Sequence, residues 1–391
     1  MDLNFTDDEK AFRAEVRAFL EQELTPEVWK RHRDFNEYGV WSQSFTKEFR
    51  HKLGEKGYLG IAWPKEHGGG GCSRIHQMIL WDELEYHRAP GVDRSVTYVP
   101  NAIQAFGSPA QKAEFLPRMC RGELTWFVGY SEPEAGSDLA NVKTKAVEDG
   151  DCYVITGQKA FSSDGHMADY GWVLTRTDPA SEKHRGLTLF IVDMKSAGVT
   201  VAEYPTLAGW KHHAVHFDNV RVPKSMIVGD VDQAWRVVMG AIDFERAALS
   251  STGLIEREMD RLLGWCLTEE DGDRRLIDDP VVQDKLVGAA IEAEGTRLIT
   301  YWLASLHDHG LRPQHETSLA LLVKRETVRH IDILSMDLLG PRVPLQSGAP
   351  GAPLDGEAES DYRDHLYFQF AAGGFDITRN VMAIRGLGLP R

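Results

Sequence analysis

The sequence contains few cysteines and no long apolar run. Its four cysteines are scattered along 391 residues without a C-x-x-C pair, which predicts free thiols in a reducing compartment and argues against a zinc site or another metal. No apolar stretch approaches the roughly 20 residues of a membrane-spanning helix. The acidic, amphipathic start is unlike a signal or transit peptide. We therefore expect a cytoplasmic protein that is not inserted in a membrane.

Positive charge is also scarce. The chain has 44 Lys and Arg against 59 Asp and Glu, a formal net charge of −15. This excess disfavours nucleic acid as a partner, because phosphate backbones select basic surfaces. An anionic ligand would need locally placed cations, for which Lys183, His184, Arg185 and the run from Lys211 to His213 are candidates. A solvated loop is the alternative for each of them.

The composition, with 42% hydrophobic and 26% charged residues, is typical of a globular protein. The length of 391 residues allows two or three domains. Residues 1–122 have a helical pattern. Residues 123–230 contain five short segments rich in β-branched and aromatic residues, separated by turn residues, which predict a small barrel or sandwich. Residues 231–391 return to a helical pattern, interrupted by a Gly/Pro-rich loop at about 340–357.

Two local signals lie in the N-terminal region. Thr6, with Glu9 three residues later, predicts a capping box at the start of an amphipathic helix. The run from Gly68 to Gly71 lacks the G-x-G-x-x-G context of a phosphate loop, so we interpret it as a flexible turn.

A polar loop of the middle region is suited to a planar, hydrogen-bonding ligand, and a second segment lies on a strand further along the chain. SEPEAGSD runs from Ser131 to Asp138, and such a loop offers hydroxyls and backbone N–H groups to a planar ring and to a pyrophosphate. KAFSS runs from Lys159 to Ser163 on a predicted strand. Taken alone, the first is a plausible turn and the second an ordinary strand aromatic with a solvated serine.

The end of the chain carries a family resemblance. Residues 371–391 read AAGGFDITRNVMAIRGLGLPR. Arg379, Asn380, Ala383 and the closing GLGLPR resemble the last helices of the acyl-CoA dehydrogenases, in an actinobacterial branch that reads G-G-T-x-E-I-x-R-N-x-I-A-x-R-x-L-G-L-P-R. The resemblance extends along the whole chain, and SEPEAGSD is similar to the family's flavin loop, T-E-P-x-A-G-S-D.

The resemblance implies an α+β, mostly α fold, with an N-terminal helical domain (1–122), a middle β-barrel domain that carries the flavin loop (123–230) and a C-terminal four-helix bundle (231–391). The implied cofactor is FAD. Tyr130, Ser131 and Ser137 belong to the flavin loop, with Ser131 expected at the pyrimidine edge of the isoalloxazine and Ser137 at the phosphates.

The KAFSS segment is implied to be the second flavin element. Phe161 takes the place of the tryptophan that stacks near the ring in the family, and Ser163 supplies a hydroxyl for flavin N5. A donor at N5 matters because it stabilises the reduced, anionic flavin.

The glutamate that usually serves as the family's base is missing, because its position in the terminal segment holds Ala372. A carboxylate stands on an apolar helix face instead, since Val238, Ile242, Glu245 and Leu249 fall at helical spacing. Burial would raise the pKa of such a carboxyl toward the range useful for a general base. Several family members take their base from this helix, so we predict Glu245 as the base. A salt-bridged interface glutamate is the alternative.

The implied reaction is the α,β-dehydrogenation of an acyl-CoA thioester. Glu245 would remove the α-proton while the β-hydride passes to flavin N5, giving a trans-2-enoyl-CoA. Both groups must lie close to opposite sides of one Cα–Cβ bond. By resemblance, Asp243 and Arg246 would hold the coenzyme A portion, and the electrons would pass on to an electron-transferring flavoprotein.

Two segments that clamp a neighbouring subunit's FAD in homotetramers of the family are not matched. In place of R-x-x-F-G, residues 269–283 read EEDGDRRLIDDPVVQ, and in place of Q-x-x-G-G, residues 335–344 read SMDLLGPRVP. We therefore expect a hetero-oligomer, α2β2, with a related acyl-CoA dehydrogenase subunit, as in actinobacterial enzymes of steroid side-chain degradation. The small residues from Ala371 to Gly374 would admit a bulky acyl group, although a tight turn explains them equally well.

Two other functions are compatible with the sequence. One is a flavin monooxygenase or nitroalkane-oxidase-like enzyme on the same fold. The other is a non-catalytic subunit that completes the site of its partner.

Overall fold

A computed structural model describes residues 4–32, 41–91, 93–271, 273–311, 313 and 315–390, and the side chains of residues 243–248 and 271 lie outside this description. The α-helices of the described part are α1 Asp7–Glu23, α2 Pro26–His32, α3 Gln43–Glu55, α4 Arg74–Tyr86, α5 Arg94–Thr97, α6 Val99–Phe106, α7 Pro109–Cys120, α8 Ala234–Ala248, α9 Gly253–Thr268, α10 Pro280–Asp308, α11 Glu316–Leu339, α12 Glu357–His365 and α13 Phe375–Val381. The strands are β1 Trp126–Gly129, β2 Lys145–Asp149, β3 Cys152–Ser162, β4 Tyr170–Arg176, β5 Leu187–Asp193, β6 Val199–Pro205, β7 Lys211–Pro223, β8 Ile227–Val228, β9 Glu270–Asp271 and β10 Arg274–Arg275.

The chain forms two compact units. The first contains Met1–Leu24, Ser73–Ala89 and Arg246–Arg391, and the second contains Thr25–Cys72 and Pro90–Glu245. Among the described helices, none has both the length and the apolar character required to span a bilayer.

The second unit is built on an eight-stranded sheet. Its strands are ordered β6-β7-β3-β2-β4-β5-β8, with β1 parallel beside β4. Because successive side chains point to opposite faces of a sheet, Trp126 and Trp172 enter one core while Phe127 and Val173 enter the other. Helices α6, α7 and α8 cover the first core. Strand β5 contributes to both cores, which explains why its sequence is almost continuously apolar.

Helices α1, α4 and α9 to α13 make up the first unit. The capping box predicted for α1 is present: Thr6 Oγ1 accepts the N–H of Glu9 at 3.2 Å, and Thr6 N–H donates to Glu9 Oε2 at 2.7 Å. Apolar side chains from three long helices fill the core, among them Leu254, Leu262, Leu286, Val328 and Ile331.

Two adjacent carboxylates on α4 fix how the helices of the first unit pack. Asp82 accepts hydrogen bonds from the Thr252 N–H and the Tyr301 hydroxyl, each at 2.6 Å. Burial raises the pKa of Asp82 to about 6. Glu83 is fully buried and pairs with Arg13 at 2.5 Å and with Arg17 at 2.9 Å. Since a buried carboxylate is costly without partners, these contacts define the packing of α1, α9 and α10 on α4.

The glycine run from Gly68 to Gly71 is a packed turn. A Cβ at Gly69 would lie 2.3 Å from the carbonyl oxygen of Trp63, and one at Gly70 would lie 2.7 Å from that of Ile61. Only glycine allows this close approach of two backbone segments. The expectation of a flexible turn is therefore corrected to a close-packed one.

Candidate functional site

Strand β1 leads directly into the flavin loop, residues 130–138. Tyr130, the first residue after the strand, is buried. Its hydroxyl accepts a hydrogen bond from Trp172 Nε1 at 3.1 Å and shares a short hydrogen bond with the Tyr98 hydroxyl. Because Trp172 and Tyr98 belong to the first core of this unit, the ring of Tyr130 anchors the start of the loop.

A buried ion pair holds the loop from behind. Lys159 Nζ, on a residue with no exposed surface, lies 2.8 Å from Glu132 Oε1 and donates to the carbonyl oxygen of Tyr130 at 3.1 Å. Glu132 also accepts the backbone N–H groups of Lys143 at 2.6 Å and Thr144 at 2.9 Å. Burial lowers the pKa of Lys159 to about 8, although Glu132 opposes this. Burial acts to raise the pKa of Glu132, but Lys159 and the hydrogen bonds together hold it below its ordinary value.

The two predicted flavin elements lie side by side. The N–H of Ala160 donates to the carbonyl oxygen of Ser131 at 2.9 Å, and Glu132 and Ala135 exchange backbone hydrogen bonds at 3.1 and 3.0 Å. Ser131 is half-buried, whereas Ser137 is exposed. The structure thus brings Ser131 next to the KAFSS segment and leaves Ser137 on the surface.

The KAFSS segment contains a β-bulge. Lys159 pairs with Val215 of β7 and Ser162 with His213, so two residues of β3 lie opposite one residue of β7. The second of these two, Phe161, has a φ of +54° and is 59% exposed. Its N–H donates to the Tyr204 hydroxyl at 2.8 Å. Ser163, in the turn after the strand, is buried.

Histidines lie on β7 beside this bulge. His213 is buried, donates from Nδ1 to the Ser162 carbonyl oxygen at 3.2 Å and stacks on His166 at 4.4 Å between ring centroids. Burial lowers the pKa of His213 and of His212. Lys211 is paired with Glu203 at 2.7 Å. The run from Lys211 to His213 is therefore poorly suited to supply the cations expected from the sequence, because burial disfavours the protonated form of both histidines and the lysine is paired with Glu203.

The second candidate group of cations is on the surface. Lys183, His184 and Arg185 are all exposed. Their loop is shaped by Arg176, whose guanidinium donates to the carbonyl oxygens of Arg185 at 2.6 Å and Lys183 at 3.0 Å. The ring of His184 lies 4.3 Å from that of Trp235. This loop keeps the features required to attract an anionic ligand.

In the first unit, the turn at residues 371–374 is held by helix α11. Arg325, which is 3% exposed, donates to the carbonyl oxygens of Gly373 at 2.7 Å and of Ala371. Ala372 has a φ of +48° and Gly373 a φ of +82°. A cavity of about 20 Å³ lies beside the turn, lined by Leu249, Leu321, Lys324, Arg325, Tyr367, Phe368 and Ala371. Its volume is that of about one water molecule.

The predicted base and coenzyme A residues fall where side chains are not described. Helix α8 forms as predicted, with Val238 fully buried and Ile242 packed against the same core. Asp243, Glu245 and Arg246 lie outside the residues whose side chains the structure describes. Their roles stay predictions.

Three residues support the predicted segments in ways that the sequence interpretation did not anticipate. They are Lys159 behind the flavin loop, Tyr204 at the bulge and Arg325 at the terminal turn. A lone lysine within an otherwise uncharged strand was a signal for the first. The other two act across long sequence separations and left no local pattern.

The residues of the second unit fit a flavin. An exposed aromatic ring, Phe161, stands beside a polar loop. Two buried polar atoms nearby, Ser162 Oγ and His213 Nε2, have no hydrogen-bond partner among the described residues. Buried polar atoms are normally satisfied, so this region is chemically suited to a planar ligand with hydrogen-bonding edges.

Three family models match the chain in succession. The acyl-CoA dehydrogenase N-terminal domain matches residues 6–123, the middle domain residues 128–220 and the C-terminal domain residues 232–387. Acyl-CoA dehydrogenase FadE26 of Mycobacterium tuberculosis is 36% identical over 400 residues, which cover 100% of this chain and 99% of the relative.

Solved structures agree with this result. The Tcur3481-Tcur3483 steroid ACAD has a TM-score of 0.92 and 31% identity, covering 100% of both chains. The ChsE4-ChsE5 complex from Mycobacterium tuberculosis has a TM-score of 0.92 and 34% identity, again covering 100% of both chains. The predicted fold class is confirmed. The chain belongs to the acyl-CoA dehydrogenase family, and it is accordingly an FAD-dependent oxidoreductase.

Proposed function

We propose that the chain is the catalytic subunit of a hetero-oligomeric acyl-CoA dehydrogenase that forms a trans-2-enoyl-CoA from the thioester of a bulky, steroid side-chain acyl group. The observation that carries the proposal is the full-length similarity, at a TM-score of 0.92, to two complexes, one of which is described as a steroid ACAD. The partner would be a related subunit of the same fold, and the electron acceptor an electron-transferring flavoprotein.

The terminal turn supports a relocated base. Ala372 occupies the position of the usual glutamate and cannot accept a proton. Glu245 is the carboxylate that continues the apolar face begun by Val238 and Ile242 on α8. Placing the base on a helix leaves small residues at the turn, beside an apolar cavity that borders Ala371. Since the cavity itself holds only about one water molecule, the room for a bulky acyl group would come from the small side chains of residues 371–374.

The assigned residues fall into two groups, those that would bind FAD or the coenzyme A portion and the one that would transfer a proton. Ser131, Ser137, Phe161 and Ser163 would hold FAD, which when bound supplies the hydride acceptor at N5. Glu245 would remove the α-proton. For the coenzyme A portion, Asp243 and Arg246 are the proposed contacts, and the exposed loop of Lys183, His184 and Arg185 adds positive charge for its phosphates.

The test is anaerobic flavin bleaching. The chain is co-expressed with a partner of the same fold, and the complex is mixed with a panel of acyl-CoA thioesters that includes straight-chain and steroidal ones. We expect bleaching by steroidal thioesters. Glu245→Gln is expected to lower the rate of bleaching by about 10²–10⁴-fold without loss of FAD, because proton transfer by a positioned side chain contributes that much.

Glu256→Gln is the matched control, since Glu256 lies on the next helix and pairs with Arg13 at 2.8 Å. It should leave the rate within about twofold. An unchanged rate for Glu245→Gln would mean that the chain only completes its partner's site. Stoichiometric FAD in the chain purified alone would contradict the hetero-oligomer.

A further inference from the structure

The bulge in β3 places a bulky side chain in an unfavourable conformation. Phe161 has a φ of +54°, a region that bulky L-residues avoid because Cβ approaches the backbone. Such strained residues persist where the surroundings hold them, and they concentrate at functional sites. A neighbouring group must therefore stabilise the backbone conformation of Phe161.

Tyr204 holds it from two strands away. In the order β6-β7-β3, Tyr204 lies on β6 and its side chain reaches across β7 to accept the N–H of Phe161 at 2.8 Å. A bulged residue cannot donate its N–H to the neighbouring strand in the regular way. The hydroxyl of Tyr204 replaces that missing acceptor, so it stabilises the bulged conformation specifically.

The same tyrosine packs against the ring that it positions. The Tyr204 and Phe161 rings meet edge to face at 6.3 Å, and the His212 ring meets Phe161 edge to face at 6.5 Å. Tyr204 pairs directly with His212 in the ladder between β6 and β7. Two aromatic rings thus support one side of Phe161, while the ring as a whole stays 59% exposed.

The bulge also decides which face Phe161 occupies. Side chains alternate along a strand, so one extra residue exchanges the faces of everything on one side of it. Without the extra residue, Phe161 and Ser163 could not both keep their positions relative to Lys159, which is bound to the flavin loop.

We propose that Tyr204 is a positioning residue for the flavin: its hydroxyl holds the N–H of Phe161, keeps the bulge in β3 and so directs the phenyl ring to the surface on which the isoalloxazine stacks. This inference rests on the proposed role of Phe161 in flavin binding. It adds a residue that does not touch the cofactor.

The test uses the full chain in its complex, stripped of FAD and reconstituted. Tyr204→Phe removes one hydroxyl and keeps the ring. We expect the dissociation constant for FAD, measured by flavin fluorescence, to rise about tenfold, because the bulged N–H of Phe161 loses its acceptor. The visible absorption band of the bound flavin should shift in the same direction as in Phe161→Ala. Tyr153→Phe, which removes a hydroxyl elsewhere in this sheet, should change neither quantity.

A second variant separates positioning from general stability. Glycine adopts a φ of +54° without strain, so in a Phe161→Gly background the change Tyr204→Phe should weaken FAD binding less than twofold. If Tyr204→Phe alone folds poorly, the double variant is expected to restore folding. Equal weakening in both backgrounds would overturn the positioning role.

The two proposals fail in distinguishable ways. If Phe161→Ala weakens FAD binding while Tyr204→Phe leaves both the dissociation constant and the spectrum unchanged, the inference is wrong and the role of Phe161 stands. If Phe161→Ala itself has no effect on either quantity, the assignment of Phe161 to the flavin is wrong, and the inference falls with it.

Discussion

The flavin loop of the second unit and the terminal turn of the first unit are both irregular segments held by a buried cation. Lys159 donates to the carbonyl oxygen of Tyr130, and Arg325 donates to those of Ala371 and Gly373. Irregular backbone at a site cannot satisfy all of its own carbonyl groups, and buried ones require partners. A cation supplied by a neighbouring strand or helix meets this requirement in both places.

The two segments differ in whether charge or backbone conformation fixes their structure. The flavin loop contributes its own carboxylate, Glu132, which pairs with Lys159 at 2.8 Å. The terminal turn has the sequence AAGG and contributes no charge. It contains two consecutive residues of positive φ instead. The flavin loop is therefore fixed mainly by electrostatics, and the turn by backbone conformation.

Lys159→Met is expected to have the largest effect, because it leaves Glu132 as a buried and uncompensated charge. Breaking a buried pair from one side costs about 3–5 kcal/mol of unfolding free energy. Urea denaturation of the apoprotein measures the change. Lys159→Met combined with Glu132→Gln should recover most of the loss, and a double variant no more stable than the single one would mean that the pair does not act as a unit.

The unfolding free energy should depend on pH through His365, which lies in the segment that leads into the terminal turn. His365 is buried and stacks on Phe368, which lines the cavity beside the turn. Burial opposes its protonation, but the hydrogen bond that His365 Nδ1 donates to Asp332 and the charges of Asp332, Asp361 and Asp364 raise the pKa of His365 to about 9.

This folded-state pKa lies above the unfolded value of 6.5. The contribution of protonated His365 to the unfolding free energy is therefore complete below pH 6.5 and is lost as the pH rises to about 9. The expected loss is about 3 kcal/mol, measured by urea denaturation at several pH values. His365→Gln should remove this slope. Lys159 has the opposite effect on the pH dependence of stability. Its folded-state pKa of about 8 lies below the unfolded value of 10.5, so the unfolding free energy rises as the pH increases between those two values.

Arg325→Met should cost about 2 kcal/mol of unfolding free energy, because two partly buried carbonyl groups of the terminal turn lose their donor. The loss is measured as a fall in unfolding free energy. Arg329→Met is the matched control, since Arg329 lies one helical turn further along α11 with 58% of its side chain exposed. A similar loss for both variants would mean that the turn does not depend on Arg325.

Ala372→Gly should have the smallest effect and the opposite sign. Alanine at a φ of +48° is strained and glycine is not, so we expect a gain of about 0.5–1 kcal/mol in unfolding free energy. Ala371→Gly, at a residue without positive φ, should not stabilise. Equal effects of the two substitutions would argue against conformational strain at the turn.

Local patterns in the sequence predicted local structure well. The Thr6 capping box depends on two residues three positions apart, and the structure confirms it. The apolar strands of the middle region follow from alternation and from burial on two faces. The order of helices, strands and helices could therefore be predicted from short windows of sequence.

The support of the site could not be predicted in this way. The pair of Glu132 and Lys159 spans 27 positions, the contact of Phe161 with Tyr204 spans 43, and that of Arg325 with Ala371 spans 46. Each depends on a register or a helix packing that is set only when the chain folds. For Glu245 the opposite holds. Helical spacing in the sequence predicts it as the base, whereas its side chain lies outside the described part of the structure.

The bulge in β3 sets a constraint on the length of the chain that is separate from any constraint on residue identity. Lys159 is bound to the flavin loop, and Phe161 and Ser163 follow at fixed offsets from it. A substitution within this segment alters one side chain, whereas the loss or gain of one residue reverses the face of every residue after it. Homologous chains should therefore vary in composition between Lys159 and Ser163 but contain no insertions or deletions there.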